Sequence, residues 1–332
     1  MAARVPVVPG EHAELVLPAS ASEADWLTAR TAGVGGSEVA ALVGASKWST
    51  PFDVFRNKAR GWVTPAFEGN VATEWGHRLE DAVARKVADE LGLVARTGGG
   101  LWRHRGHPVA LVTPDRIATR RRSWTAVGVI ECKTAGDGDG WEDGGAPLAY
   151  QAQVIWQLGV LGLNVGWLGC LELGPARSFH LVEVKFDSEW FHELVEAAER
   201  FWADHVVTGE PPMIDLTHPR TAELLKEIHP RAVAESIELP EEAAEWIDEY
   251  HAAKEAAEAA KARLDEIKNW LRFHLGEAGA GYLGDQKVVG YTDVTTSRVD
   301  VTKLRENFPD IAVSCVVTST SRRLTVNRKS PK

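Results

Sequence analysis

The chain has 332 residues, 44% of them apolar and 25% charged, with a formal net charge of −10. That size and apolar content support one large domain with an appendage, or two modest domains, and exclude wholesale disorder. The acidic balance argues against a basic nucleic-acid coat protein, but it suits an enzyme with a local basic groove or a carboxylate cluster that a divalent cation neutralises.

Three cysteines, Cys132, Cys170 and Cys315, lie far apart and odd in number, which excludes a four-cysteine metal site and a disulfide framework. No apolar run reaches the roughly 18 residues of a membrane span, and the N-terminus is not a secretory signal. The chain therefore reads as cytoplasmic, with no membrane partner.

Residues 1–22 read as an irregular leader. From Ala24 to about Pro212 helix and strand alternate, which predicts a single α/β domain over 23–213. "TEWGHRLEDAVARKVADELGL" (73–93) predicts a helix with Gly92 near its end. Gly76, Glu80, Val83, Ala84, Val87 and Leu91 share one stripe of it, so Glu80 is the charged residue on an inward face. A buried carboxylate needs a compensating charge, which a metal supplies, unless the stripe's edge lies at solvent.

"HPVALVTPDRIA" (107–118) and "AVGVIECKT" (126–134) predict strands, joined by a turn carrying Arg120–Arg122. A helix over 146–162 starts near Pro147. Strands at 165–173 and 177–186 form a hairpin about Gly174-Pro175, and a helix at 188–207 is stopped by Gly209 and Pro211-Pro212. Residues 214–238 read as a linker with short helical pieces.

A long helix follows over 239–278. In it Trp246, Ala253, Ala260, Ile267 and His274 recur every seven residues, and Tyr250, Ala257, Leu264 and Leu271 interleave. This seam reads as packing within the chain, with an antiparallel hairpin partner or an oligomer contact as alternatives. The tail, 279–332, reads as a small α+β region. It has strand-like "YLGDQKVVGYTDV" and "IAVSCVVTS" around a short helix at "DVTKLRENF".

The chemistry centres on "GVIECKTAG" (128–136). Side chains alternate faces along a strand, so Glu131 and Lys133 point together. Asp115 follows a proline that ends or kinks the preceding strand. Two carboxylates and a lysine on adjacent strands, with a basic turn between, suit a metal-dependent phosphodiesterase. Mg²⁺ takes one or two carboxylates plus substrate phosphate, generates hydroxide and stabilises charge at phosphorus. A lysine beside such cations is pushed towards its neutral form and serves as base or orients the water. The alternative is a plain strand-edge ion pair.

"RTAGVGGSEVAALVGASKWSTPFDVFRNKARG" (30–61), followed in order by "WGHRLEDAVA", "TPDRI", "GVIECKT", "YQAQVIWQLGVLG" and "FW…GEPP", resembles the YqaJ-type viral recombinases, relatives of the lambda phage exonuclease. The resemblance covers about residues 24–212. It implies the PD-(D/E)xK nuclease core: a mixed central β-sheet flanked by helices, here with a C-terminal helical and small α+β appendage. It also implies Mg²⁺-dependent degradation of the 5′-ended strand from duplex DNA ends, with two ions and Mn²⁺ as a substitute. Glu80, Asp115, Glu131 and Lys133 fall on catalytic positions, and the backbone carbonyl of Cys132 falls where a further metal ligand is expected. Cysteine replaces the usual aliphatic residue there, with its thiol facing away.

The resemblance assigns Arg30, Ser37, Thr113 and Gln153 to a 5′-phosphate pocket. A guanidinium grips phosphate bidentately, and Gly35-Gly36 before a helix leave N–H groups for an anion; Ser37 otherwise serves as a helix cap. Lys47, Trp48, Tyr150 and Gln157, with Arg56 and Lys58, are candidates for a DNA path, and Trp48 and Trp141 lie in loops flanking the site. Expected partners are duplex DNA ends, a single-strand annealing protein and further copies of the chain. A sequence- or structure-specific endonuclease on the same core, or a non-catalytic DNA-end binder, are the competing functions.

Overall fold

The computed structural model describes residues 12–59, 71–136, 140–141, 144–173, 178–233 and 236–327. The Gly174-Pro175 turn and the first half of the expected leader lie outside them. The chain divides into two compact units after Leu225.

The first unit is built on a mixed five-stranded sheet. Its order is β2 (Val94–Thr97), β5 (Arg116–Thr119), β6 (Ala126–Ala135), β7 (Val165–Glu172), β8 (Phe179–Lys185). The middle strand, β6, pairs antiparallel with β5 and parallel with β7. A parallel neighbour requires a crossover, and α5 (Leu148–Leu161) supplies it. α5 covers one face of the sheet and α4 (Val71–Leu91) the other. Both approach closely at glycines of β7: a Cβ on Gly166 would lie 2.5 Å from Val154, and one on Gly169 2.4 Å from Val87. Covered on both faces, β6 carries the apolar run of a buried strand, with Val129 and Ile130 fully buried.

The stretch 107–118, expected as one strand, belongs to two sheets. β4 (Leu111–Val112) pairs with β3 (Gly100–His104), and β3 with β1 (Ala13–Pro18), in a separate three-stranded sheet. The chain crosses to β5 through Thr113-Pro114-Asp115, where proline has no N–H for a ladder. It makes the opposite crossing at Gly98-Gly99, between β2 and β3. The two crossings touch: a Cβ on Gly98 would lie 2.0 Å from the Pro114 carbonyl oxygen, so only glycine fits. The expected irregular leader is thereby corrected, since Ala13–Pro18 is a paired strand.

Three short helices precede α4, and their caps are written in the sequence. Ser22 accepts from Asp25 N at the start of α1 (Glu23–Arg30). Thr50 and Asp53 form a reciprocal capping box on α3 (Pro51–Lys58), with proline at its first position; each such cap contributes roughly 1 kcal/mol. α2 (Gly36–Leu42) packs against α5, and its start is tied to β4 by Val34 N to the Val109 carbonyl (2.7 Å) and Leu111 N to the Val34 carbonyl (3.0 Å).

After α6 (Ser188–Phe201) the expected helix widens into a π-helical turn, Trp202–Val207. The first part of the expected linker belongs to this unit. His218 Nε2 meets the Ser46 carbonyl oxygen (2.7 Å), Arg220 pairs with Asp53 (3.4 Å), and Leu224 of α7 (Thr221–Ile228) is fully buried.

The second unit holds α8 (Ala243–Leu275), the hairpin β9 (Ala280–Leu283) and β10 (Gln286–Gly290), α9 (Val301–Asn307) and α10 (Pro309–Ser314). Strand-like 311–314 is helical, led by a proline at the first position of α10. Among the described residues of this unit the heptad seam is largely uncovered: Trp246, Tyr250, Leu264, Ile267 and Leu271 are all exposed, and Ala243 is the one buried residue of α8. Among the described residues no helix is long and apolar enough to cross a membrane.

Candidate active site

Glu131 sits mid-sheet with its side chain 2% exposed, and three donors satisfy it. Lys133 Nζ and Gln153 Nε2 both reach Oε1 at 2.6 Å, and Gln157 Nε2 reaches Oε2 at 2.7 Å. Both glutamines project from α5, one turn apart, onto the face that Glu131 and Lys133 share. Lys133 Nζ also donates to Gln153 Oε1 (3.1 Å) and lies 4.8 Å from the centre of the Tyr150 ring. Burial alone would lower the Lys133 pKa; the charges of Glu131 and Asp115 outweigh it and hold the ammonium above its ordinary range.

Asp115 is fixed by the neighbouring strand: its Oδ2 accepts the Cys132 N–H at 2.8 Å. Burial and the nearby Glu131 push its pKa up to about 8, with Glu80 adding to the rise, against the opposing pull of Lys133 and the Cys132 N–H. Glu80, on α4, is held by Arg116, the first residue of β5. Cys132 packs beneath α4 with Ile130, Val87 and Trp167. Burial, then Asp115 and Glu131, raise its thiol far above the ordinary range, so it stays protonated.

These groups line two connected spaces. A pocket of about 260 Å³ is bounded by Glu80, Asp115, Glu131, Lys133 and His77. A cleft of about 740 Å³ shares Glu80, Asp115 and His77 with it, and adds Arg30, Ser37, Thr113, Gln153 and Gln157. Arg30 stands at the end of α1, its guanidinium 4.7 Å above Trp26 and 3.4 Å from Glu38. Lys58, nearly buried, donates to both the Arg30 carbonyl and Glu38 Oε2 at 2.8 Å. Burial draws the Lys58 pKa down, countered in part by Glu38. Of these, Arg30 lines the cleft, which also carries the carboxylates Glu23, Glu80 and Asp115, while Lys58 and Glu38 brace Arg30 from behind.

Three comparisons bear on this arrangement. Residues 25–164 match the YqaJ-like viral recombinase domain, a span that holds every residue of both spaces apart from a few at the cleft's edge. Over that span the chain is similar to the YqaJ-like viral recombinases. The uncharacterized protein YqaJ of Bacillus subtilis (strain 168) is 28% identical over 292 residues, covering 87% of this chain and 89% of that one. Two solved structures are similar at lower identity. An alkaline exonuclease, LHK-Exo, from Laribacter hongkongensis is 18% identical over 62% of this chain and 98% of its own, with a TM-score of 0.44. A phage related exonuclease from Haemophilus somnus 129PT is 17% identical over 53% and 96%, with a TM-score of 0.39.

Within residues 25–164 the structure brings several of the expected residues together and moves others away from the site. Gln157 is 1% exposed and grips Glu131, so at the floor of the cleft it holds that carboxylate in place instead of forming part of an exposed DNA path. Arg56 and Lys58 are likewise buried and leave that path. Trp141 is fully buried beneath Tyr150. The Gly35 N–H is taken by Glu38 Oε2 at 2.7 Å, and Gly35, not Ser37, caps α2. The compensating charge at Glu80 comes from Arg116. Lys47 and Trp48 sit together on the α2–α3 loop, and Arg120–Arg122 are exposed beyond β5.

Sequence reasoning missed Trp26, Glu38, His77 and Arg116. Two carried a signal: Trp26 lies one helical turn from Arg30, and Gly35-x-x-Glu38 has capping-box spacing.

The residues present fit a hard divalent cation. Among the described residues no three His, Cys, Asp or Glu side chains form a ready-made cage, but Mg²⁺ needs only one or two carboxylates alongside substrate oxygens. Burial, then Glu131 and Glu80, oppose the ionisation of Asp115, and a bound cation would favour its charged form.

Proposed function

We propose that this chain is a metal-dependent deoxyribonuclease. It degrades the 5′-ended strand of duplex DNA from its ends and leaves 3′ single strands for an annealing protein. The observation supporting this reading is that Asp115 and Glu80 border both spaces, the pocket with Glu131 and Lys133 and the cleft with Arg30, Ser37 and Thr113. A hydrolytic centre would thus open directly onto the Arg30 guanidinium and the hydroxyls of Ser37 and Thr113.

Asp115, Glu131, Glu80 and the Cys132 carbonyl would hold two Mg²⁺ ions, for which Mn²⁺ substitutes. When bound, the metal supplies Lewis-acid stabilisation of phosphate charge and an acidified water. Gln153 and Gln157 keep Glu131 in one rotamer. Lys133, shared between Glu131 and Gln153, donates from Nζ towards the attacking water and orients it. Arg30, stiffened by Trp26 and Glu38, grips the terminal 5′-phosphate through its forked donors, with Ser37 and Thr113 hydroxyls and Gln153 beside it. That clamp requires a strand end, which favours exonuclease over endonuclease action. The exposed α8 seam is the surface through which copies of the chain would associate.

Digestion of a linear duplex labelled separately at each end, with and without Mg²⁺ and 5′-phosphate, tests the reading. Mononucleotides should leave from 5′ ends alone and only with metal. Internal fragments, or loss of the 3′ label first, would overturn it.

A further inference from the structure

We infer that Trp48 is a stacking platform for an unpaired nucleobase of the strand passing the active site. This rests on the nuclease reading above. A single exposed tryptophan is ordinary on a protein surface. Trp48 is set apart by how firmly it is held and by what it joins.

Its loop is pinned. The Trp48 and Ser49 N–H groups both donate to Ser46 Oγ, at 3.2 and 3.1 Å, and Ser46 is itself buried. The Ser46 carbonyl is held by His218, and the capping box of α3 follows immediately at Thr50. The ring has therefore already lost the loop freedom that a flexible side chain would lose on binding.

The indole also ends a ladder of rings. Trp48 stacks on Tyr150 with centroids 5.6 Å apart and planes 20° from parallel. Tyr150 stacks in turn on Trp141 at 5.7 Å, and Trp141 is fully buried. The ladder is thus anchored in the core at one end and 47% exposed at the other. Its middle ring, Tyr150, carries Lys133 Nζ 4.8 Å from its centre. At the ~3.4 Å rise of a stacked strand, a base on Trp48 belongs to a nucleotide within a few of the scissile bond.

A cation completes the site: Lys47 Nζ lies over the Trp48 ring, 4.7 Å from its centroid, and a base stacking there moves this long side chain aside towards the flanking backbone phosphate. An aromatic face with an adjacent ammonium is the chemistry of single-strand binding, in which every base offers a π-face. Inside a duplex those faces are covered by neighbouring pairs, so the ligand is an unpaired base.

The test is fluorescence anisotropy of a dye-labelled oligothymidylate, without metal, on wild type and on Trp48→Phe, Trp48→Leu and Trp48→Ala. A second oligonucleotide of equal length carries abasic sugars in place of the bases. Trp48→Ala and Trp48→Leu should weaken binding of the first roughly 5- to 100-fold, and Trp48→Phe should retain most of it. The abasic strand should bind wild type as weakly as it binds Trp48→Ala. Melting temperatures should match across the set. Equal affinity of Trp48→Ala and wild type, the same loss on the abasic strand, or rescue by leucine as good as by phenylalanine would overturn the platform. Absence of metal-dependent hydrolysis by wild type would instead sink the nuclease reading, and the anisotropy comparison would still decide Trp48.

Discussion

Asp115→Asn should make the metal-free protein more stable, and increasingly so as pH rises from 5 to 8. The Asp115 carboxyl has an ordinary pKa of 3.8 and a folded value of about 8. The native state therefore holds a proton that the unfolded chain releases, so stability falls as pH rises from about 4 to about 8 and levels off above. Each pH unit in that window costs ~1.4 kcal/mol, at most about 4 kcal/mol between pH 5 and 8. Asp115 is only partly buried, and solvent screening reduces this to roughly 1–2 kcal/mol.

Asparagine removes the titration but keeps the volume and an oxygen to accept the Cys132 N–H. At roughly 2–4 °C per kcal/mol for a unit of this size, the variant's advantage in Tm should grow by about 2–8 °C from pH 5 to pH 8 in chelator. Adding Mg²⁺ at pH 8 should narrow the gap by stabilising wild type alone. An advantage that stays constant with pH, or a variant less stable throughout, would refute the account of Asp115 as an uncompensated acid.

Arg30→Ala should abolish a preference for 5′-phosphorylated over 5′-hydroxyl ends of roughly ten- to a hundredfold, while changing little on hydroxyl ends; equal slowing of both substrates would make Arg30 a general DNA contact or a fold residue. Gln157→Leu should remove one donor from a buried carboxylate and cost roughly 1–3 kcal/mol in denaturant unfolding, with a loss of turnover at unchanged DNA affinity. A stable variant of full activity would show that Glu131 does not depend on α5 for its rotamer.

The core elements were legible because their signals are local. β6, α4 and α5 follow from apolar runs and periodicity, and alternation alone puts Glu131 and Lys133 on one face. The misses are tertiary. Nothing in "HPVALVTPDRIA" says that its two halves join different sheets, because β4 takes its partner from β3 and β3 takes its own from β1. Gln157 and Tyr150 share a helical face with Gln153, yet one is buried against Glu131 and the other is stacked on Trp48. Spacing gives a shared face and not its depth. The heptad pattern of α8 is real as a helix, but a repeat cannot say whether its partner lies in the same chain.

The touching crossings at Gly98 and Pro114 have a consequence for how the candidate site is assembled. Glu131 and Lys133 stand on the middle strand of the larger sheet and need only that sheet. Asp115 lies on the crossing between the two, and the smaller sheet also takes in β1, from the far N-terminal side, through its pairing with β3. Contacts so distant in sequence form late, because the intervening chain must first be closed into a loop. Until Thr113-Pro114-Asp115 is seated against Gly98, the glutamate–lysine pair stands without a fixed third group beside it. On the proposed function, the two-sheet seam acts as a safety catch: a chain in which the crossing has not formed lacks the complete site.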